Sequence, residues 1–275
     1  MVILYYIVIK NTFEVTGNII PHWLLWKNTN TSQDKLFTIK EDFIDTNTAI
    51  NLAELLTNHK ENIKNGGLGD VFHGVRGFTV RFKNKEHARE LFHERLELPE
   101  VWEIFEKIHS RDTNAWIINT LIVEPSQRTN KKRNKVDLHY DDTIGIESPL
   151  AGFIPFWKRD LSAHWINMVY VQIPPKMIGG ELVCWPQGFS RLHELTRFIG
   201  ASSLLSKNPP SLAIQPRSGM HIKVRGDGYH AVEPFYAGDP ELADMPRISL
   251  IIEEYKCNSR ELQEIGDNPT ISRAY

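Results

Sequence analysis

The sequence predicts a mainly β protein with flanking helices, built on a double-stranded β-helix (jelly roll) core. Two observations carry this. From Asn114 onward, about eight short β-branched and aromatic runs are separated by Gly and Pro turns. The clear helical periodicities come mostly before that point, so helices flank the strands instead of alternating with them. With 275 residues, 41% of them apolar and 10% aromatic, the chain is long enough to bury one such core. The expected layout is one structural domain in three parts. Residues 1–112 form an N-terminal α+β support region, 113–258 the jelly-roll core and 259–275 a C-terminal tail that is polar and packs loosely.

The elements follow in order. The opening run M-V-I-L-Y-Y-I-V-I-K has no basic segment before it and no small-residue cleavage site after it. It stops at Lys10, too short to span a bilayer. Residues 1–15 therefore read as one or two packed strands rather than a targeting segment, and 35–39 as another. Residues 48–63 place Ile50, Leu52, Leu55 and Leu56 at helical spacing. The loop N-G-G-L-G-D at 65–70 reads as a turn, because no strand enters it and no helix leaves it as a phosphate loop requires. Residues 77–82 are a strand, and 85–96 and 99–109 are helices. The second carries an apolar stripe of Val101, Ile104, Phe105 and Ile108. His59, His73, His87, His93 and His109 have no ligand-like spacing and are expected at the surface or in caps.

In the second half, strands are expected at 116–123, 136–142, 165–173, 181–185, 211–215, 221–224, 229–232 and 248–255. A polar loop at 128–135 and a Pro- and Gly-containing loop at 148–163 lie between them. A peripheral helix is expected at 191–205. The formal net charge of −2 gives no global reason to expect a nucleic acid or membrane partner. Two cysteines, Cys184 and Cys257, in a chain this long read as reduced thiols of a cytoplasmic protein.

The chemistry-bearing stretch is V-D-L-H-Y-D-D at 136–142. In an extended strand His139 and Asp141, two apart, point to one face. His230, in G-D-G-Y-H-A-V-E-P, is the candidate third ligand. Two imidazoles and one carboxylate on one face suit non-haem Fe(II) and leave open positions on the other side. Ligand type alone leaves zinc open as well. His221 is a lesser rival ligand, because Lys223 and Arg225 nearby disfavour a cation. H-x-D by itself is weak. The ordered set is stronger: H-x-D after a strand, then G-G-E-L at 179–182, then Y-H-A-V-E-P, then R-I-S (Arg247 to Ser249) opening a last strand.

In that order the motifs resemble the Fe(II)- and 2-oxoglutarate-dependent dioxygenases over residues 116–256, with a prolyl-hydroxylase-like strand pattern around G-G-E-L. The resemblance implies that His139, Asp141 and His230 bind Fe(II) and form the catalytic set. It also implies that Arg247 pairs with the distal carboxylate of 2-oxoglutarate while Ser249 hydrogen-bonds it, and that O2 is the oxidant. The alternation of a strand allows Arg247 and Ser249 to share a face. The insert A-G-D-P-E-L-A-D-M-P lengthens the gap before Arg247. If a turn does not absorb it, Arg225 or Arg217 takes the carboxylate.

Asn119 and Tyr170, on strands flanking the ligands, are further candidates for contact with 2-oxoglutarate. Tyr140 is expected to face away, and Asp142 to orient a ligand or cap a turn. Arg128, Lys131, Lys132 and Arg133 read as a solvated loop or as a lid that steers an anionic substrate, and Trp185 as core or pocket wall. Because halogenating relatives carry a small residue where this sequence has Asp141, the resemblance implies hydroxylation or another C–H oxidation rather than halogenation. The expected substrate is a small carboxylate-bearing metabolite, such as an amino-acid-derived natural product. A peptidyl (prolyl-type) hydroxylase is the runner-up. A non-catalytic metal-binding jelly-roll module and a zinc hydrolase are the rivals from other classes.

Overall fold

The computed structural model describes residues 37–63, 72–73, 75–126, 135–139, 141, 144–149, 158–185, 212–226, 228–242 and 244–273. The strands expected at 1–15, the glycine loop at 65–70, the helix at 191–205, the basic loop as far as residue 134, Tyr140 and Asp142 lie outside these residues. So does the side chain of Trp185. The described residues all belong to one unit, Gln33–Gly188 with Pro209–Tyr275.

In chain order the strands are β1 (Phe37–Lys40), β2 (Phe72–His73), β3 (Val75–Arg76), β4 (Phe78–Phe82), β5 (Ala115–Val123), β6 (Lys135–His139), β7 (Glu147–Pro149), β8 (Lys158–Asp160) and β9 (Trp165–Gln172). They continue as β10 (Ile178–Gly179), β11 (Leu182–Trp185), β12 (Leu212–Ile214), β13 (His221–Arg225), β14 (Tyr229–Val232), β15 (Phe235–Tyr236), β16 (Arg247–Tyr255) and β17 (Thr270–Arg273). The larger sheet runs β1-β13-β9-β16-β5-β4-β17, with β3 also on β5. The smaller runs β12-β11-β14-β6-β2. Every strand pair is antiparallel. Residues of both sheets, among them Ile117, Met168 and Tyr170 from the larger and Leu182, Cys184 and Ile214 from the smaller, share one buried cluster. This two-sheet antiparallel core is the jelly roll that the strand pattern predicts.

Helices cover the other face of the larger sheet. Helix Thr46–Asn58 buries Ala49, Leu52, Ala53 and Leu56, spaced i, i+3, i+4, i+7. Ile50 and Leu55, counted in the expected stripe, are 59% and 41% exposed. Two alanines complete the buried face because small side chains let the helix approach the sheet closely. Helix Pro99–Ile108 buries its expected stripe and Trp102 as well, and His109 caps it with Nδ1 against the Phe105 carbonyl. The helix expected over 85–96 is α-helical only for Lys85–Glu90; Leu91–Arg95 is a wider π turn. A short strand pair, β7 with β8, lies within the stretch expected to be loop.

The tail is not loose. Asn258 forms a capping box with Glu261 at the start of helix Ser259–Ile265, and Ile265 is buried. β17 then pairs with β4 at the edge of the larger sheet. Polarity misled here, because one buried face is enough to dock a short helix. Cys184 and Cys257 are both buried and form no disulfide with each other. No helix among the described residues is long and apolar enough to cross a membrane.

Candidate metal centre

β6 ends at His139, and β14 sets His230 directly opposite it. The register slips by one residue between these strands, since His230 pairs with His139 but Val232 pairs with Val136. Residues opposite each other in an antiparallel pair share a face, so the two rings meet, 4.4 Å between centroids. Asp141 lies just past the end of β6 rather than within an extended run. Its placement comes from the following chain. The Ala163 N–H donates to the Asp141 carbonyl (2.9 Å), the Arg81 Nη1 donates to the Ile144 carbonyl (2.8 Å), and Ile144 and Ile146 are buried in the core. Asp141 Oδ1 is 3.4 Å from His139 Nε2, and Oδ2 is 3.5 Å from His230 Nε2. One ligand atom from each residue lies within 4.8 Å of the others.

The hydrogen bonds of the rings set their tautomers. His139 Nδ1 faces the Asp137 carbonyl at 2.7 Å, and His230 Nδ1 faces the Gly228 carbonyl at 3.4 Å. A carbonyl only accepts, so each Nδ1 carries the proton and each Nε2 presents a lone pair. Burial pushes the His230 pKa down to about 4; His139 acts in the same sense and Asp141 opposes it. The ring is therefore neutral at physiological pH. Burial raises the Asp141 carboxyl, and the positive charge that a facing imidazole carries when protonated, His230 before His139, pulls it below its ordinary range. Asp141 Oδ2 is buried with no hydrogen-bond partner. Two nitrogen lone pairs and a carboxylate thus converge in a buried space, and a divalent cation satisfies all three.

The wall beside the triad belongs to the larger sheet. Along β16, Ile248, Leu250 and Ile252 pack under the helices, while Arg247, Ser249 and Ile251 face the pocket with His139, Asp141 and His230. Within the insert before Arg247, Pro240–Leu242 form a short helical turn, and Arg247 opens β16 facing the pocket. Arg217 is mostly exposed beside Glu41, and neither it nor Arg225 lines the pocket. Arg247 is 3% exposed. Its Nη1 donates to the Gly180 carbonyl at 2.7 Å, and its Cζ lies 5.0 Å from the centre of the Tyr170 ring. Burial lowers its pKa, while Tyr170 and Glu181 oppose that. The G-G-E-L segment therefore acts on Arg247: the Gly180 carbonyl accepts from the guanidinium, and the charge of Glu181 favours its charged form.

Asn119 lines the pocket, as expected of a ligand contact. Tyr170 does not. It is fully buried, its hydroxyl turned to Met168 Sδ at 3.9 Å, and burial pushes its pKa up to about 12. It flanks Arg247 because that position of β9 is already deep between the sheets. His221 stands apart from the triad, with Nε2 on Asn167 Oδ1 at 3.1 Å. Sequence reasoning missed the apolar walls Leu182, Val232 and Ile251. It also missed Glu253 behind Asn119, although an acidic pair closing an apolar strand, I-I-E-E-Y, was a visible signal.

No family model and no curated protein matches the sequence. Among solved structures, the chain is similar to a Pseudomonas putida prolyl-4-hydroxylase, at 11% identity over 81% of this chain and 93% of that one, with a TM-score of 0.44. It is similar to an oxidoreductase of the 2OG-Fe(II) oxygenase family from Burkholderia pseudomallei, at 15% identity over 81% and 86%, with a TM-score of 0.42. It is also similar to a viral collagen prolyl hydroxylase from Paramecium Bursaria Chlorella virus-1, at 13% identity over 80% and 96%, with a TM-score of 0.38. Likeness at this level carries no argument about the site, which rests on its own residues.

Proposed function

We propose that this protein is an Fe(II)- and 2-oxoglutarate-dependent dioxygenase that oxidises an unactivated C–H bond of a small, carboxylate-bearing substrate. One observation carries the reading: a largely buried His139–Asp141–His230 triad with its lone pairs converging shares a pocket with a buried arginine and a serine. The triad holds a metal from one side and leaves the other side open to the pocket. Bound Fe(II) and 2-oxoglutarate supply the oxidising power, with O2 consumed as the oxoacid becomes succinate and CO2. Arg247 suits the distal carboxylate of that cosubstrate, because a planar guanidinium offers paired donors in a water-poor site. Ser249, two residues on and facing the same way, adds a hydroxyl. Leu182, Val232 and Ile251 keep the walls apolar and exclude water. A zinc hydrolase has no use for the arginine and serine beside the triad. The charge of the segment Arg128, Lys131, Lys132 and Arg133 supports an anionic substrate.

The test is an anaerobic titration of metal-free protein with Fe(II) and then 2-oxoglutarate, followed by visible absorption. A charge-transfer band is expected in the wild type and not in His139→Ala, and Arg247→Ala should need far more 2-oxoglutarate. No band and no 2-oxoglutarate binding in the wild type would end this reading. Screening small carboxylates for stimulated succinate release then identifies the substrate.

A further inference from the structure

Glu253 is a fully buried carboxylate with no part in holding the metal or the distal carboxylate. It continues the pocket-facing row of β16 that begins with Arg247, Ser249 and Ile251. Asn119 of β5 pairs with Ile251 and so lies diagonal to Glu253, within reach of a long side chain. Asn119 Nδ2 donates to Glu253 Oε1 at 2.6 Å, and the Tyr255 hydroxyl donates to Oε2. At the other end, Thr79 Oγ1 donates to Asn119 Oδ1 at 2.6 Å.

The polarity of this chain follows from the donor inventory. A carboxylate that receives hydrogen bonds on both oxygens accepts only, so the Asn119 amide must turn its nitrogen towards Glu253. Its oxygen then takes the Thr79 hydroxyl. The amide nitrogen carries a second N–H, and Asn119 lines the pocket. Burying a carboxylate carries a large desolvation penalty, and apolar residues would join β5 to β16 without it. A role in orientation accounts for its presence.

We propose that Glu253 is a positioning residue that fixes Asn119 as a hydrogen-bond donor on the wall of the pocket it shares with the metal triad and Ser249. The pocket then takes a ligand with two oxygen acceptors, one carboxylate at Arg247 and a second carboxylate or keto oxygen at Asn119. This rests on the 2-oxoglutarate reading above and adds the second anchor of that ligand.

The test is a double-mutant cycle read by equilibrium binding of 2-oxoglutarate to the anaerobic Fe(II)-loaded protein, with melting temperature as a folding control. Glu253→Gln keeps the shape, and Asn119→Ala removes the donor. Each should weaken binding by about tenfold or more, the scale of one buried hydrogen bond to a charged group. The double variant should bind no more weakly than Asn119→Ala alone, because Glu253 acts through Asn119. Additive losses, or wild-type affinity in Glu253→Gln, would overturn the proposal. If Glu253→Gln does not fold, Thr79→Val releases the other end of the amide and should weaken binding in the same direction; unchanged affinity overturns the proposal. If the wild type binds no 2-oxoglutarate, the functional reading fails by itself. Side-chain amide NMR signals of metal-free protein carrying 15N-asparagine then decide the positioning role. Protected Asn119 amide protons that lose protection in Glu253→Gln support it, and identical signals in both proteins overturn it.

Discussion

Each triad imidazole is held at Nδ1 by a backbone carbonyl two residues before it, Asp137 for His139 and Gly228 for His230. A local contact therefore fixes the tautomer before any metal arrives, and Nε2 is presented ready to bind. His139→Ala should abolish Fe(II) binding measured by calorimetry while leaving the melting temperature of the metal-free protein close to wild type, since the ring is not part of the apolar core. At the other side of the pocket, Arg247 is gripped by the Gly180 carbonyl and the Tyr170 ring. Lysine keeps the charge but loses the planar fork. Arg247→Lys should raise the 2-oxoglutarate concentration for half-saturation by about tenfold to a hundredfold, with little effect on Fe(II) affinity.

Strand β16 shows what one element can do with alternation. One face of the strand seals the helix layer through Ile248, Leu250 and Ile252, and the other carries Arg247, Ser249 and Ile251 into the pocket. A one-residue slip would exchange these sets, so its nine-residue pairing with β5 protects the site as much as the core. Gly77, between β3 and β4, is the tightest point of that neighbourhood. A Cβ there would sit 1.7 Å from the Thr120 carbonyl oxygen, a backbone atom that cannot swing away. Gly77→Ala should destabilise the protein by about 3 kcal/mol, seen as a lower denaturation midpoint. It should also weaken 2-oxoglutarate binding, because Thr120 adjoins Asn119. At the C-terminus, Asn258→Ala removes the capping box and should cost about 1 kcal/mol without changing metal affinity.

The whole molecule sets buried titratable groups on both faces of its larger sheet. On the helix side, His221 is 3% exposed, with Nε2 on Asn167 and its ring 4.9 Å from Phe43. Burial, then Lys40 and Lys223, push its pKa from 6.5 down to about 4, and Glu254 opposes them only in part. The folded protein keeps this imidazole neutral, while the unfolded chain protonates it first as pH falls. Stability is therefore full above about pH 6.5 and is lost progressively towards pH 4. The loss is on the order of 3 kcal/mol from this residue. Denaturant midpoints of metal-free protein across that window should fall less steeply in His221→Gln; parallel curves would refute the assignment.

Much of this was legible along the chain. Strand runs, Gly and Pro turns and the order H-x-D, G-G-E-L, Y-H, R-x-S are local patterns, and periodicity of two is enough to put Arg247 and Ser249 on one face. Other features depend on partners remote in sequence. His139 meets His230 only when β6 pairs with β14. The role of Gly180 needs Arg247, 67 residues away, to arrive beneath it. Tyr170 and Asn119 look equivalent as polar residues in apolar strands, yet depth between the sheets sends one behind the arginine and leaves the other on the pocket wall. Residue type and spacing set which chemistry is possible here, because ligand atoms and strand faces are local properties. Which end of the Asn119 amide faces which partner is settled by packing, because only the assembled sheet brings Glu253 and Thr79 into contact with it.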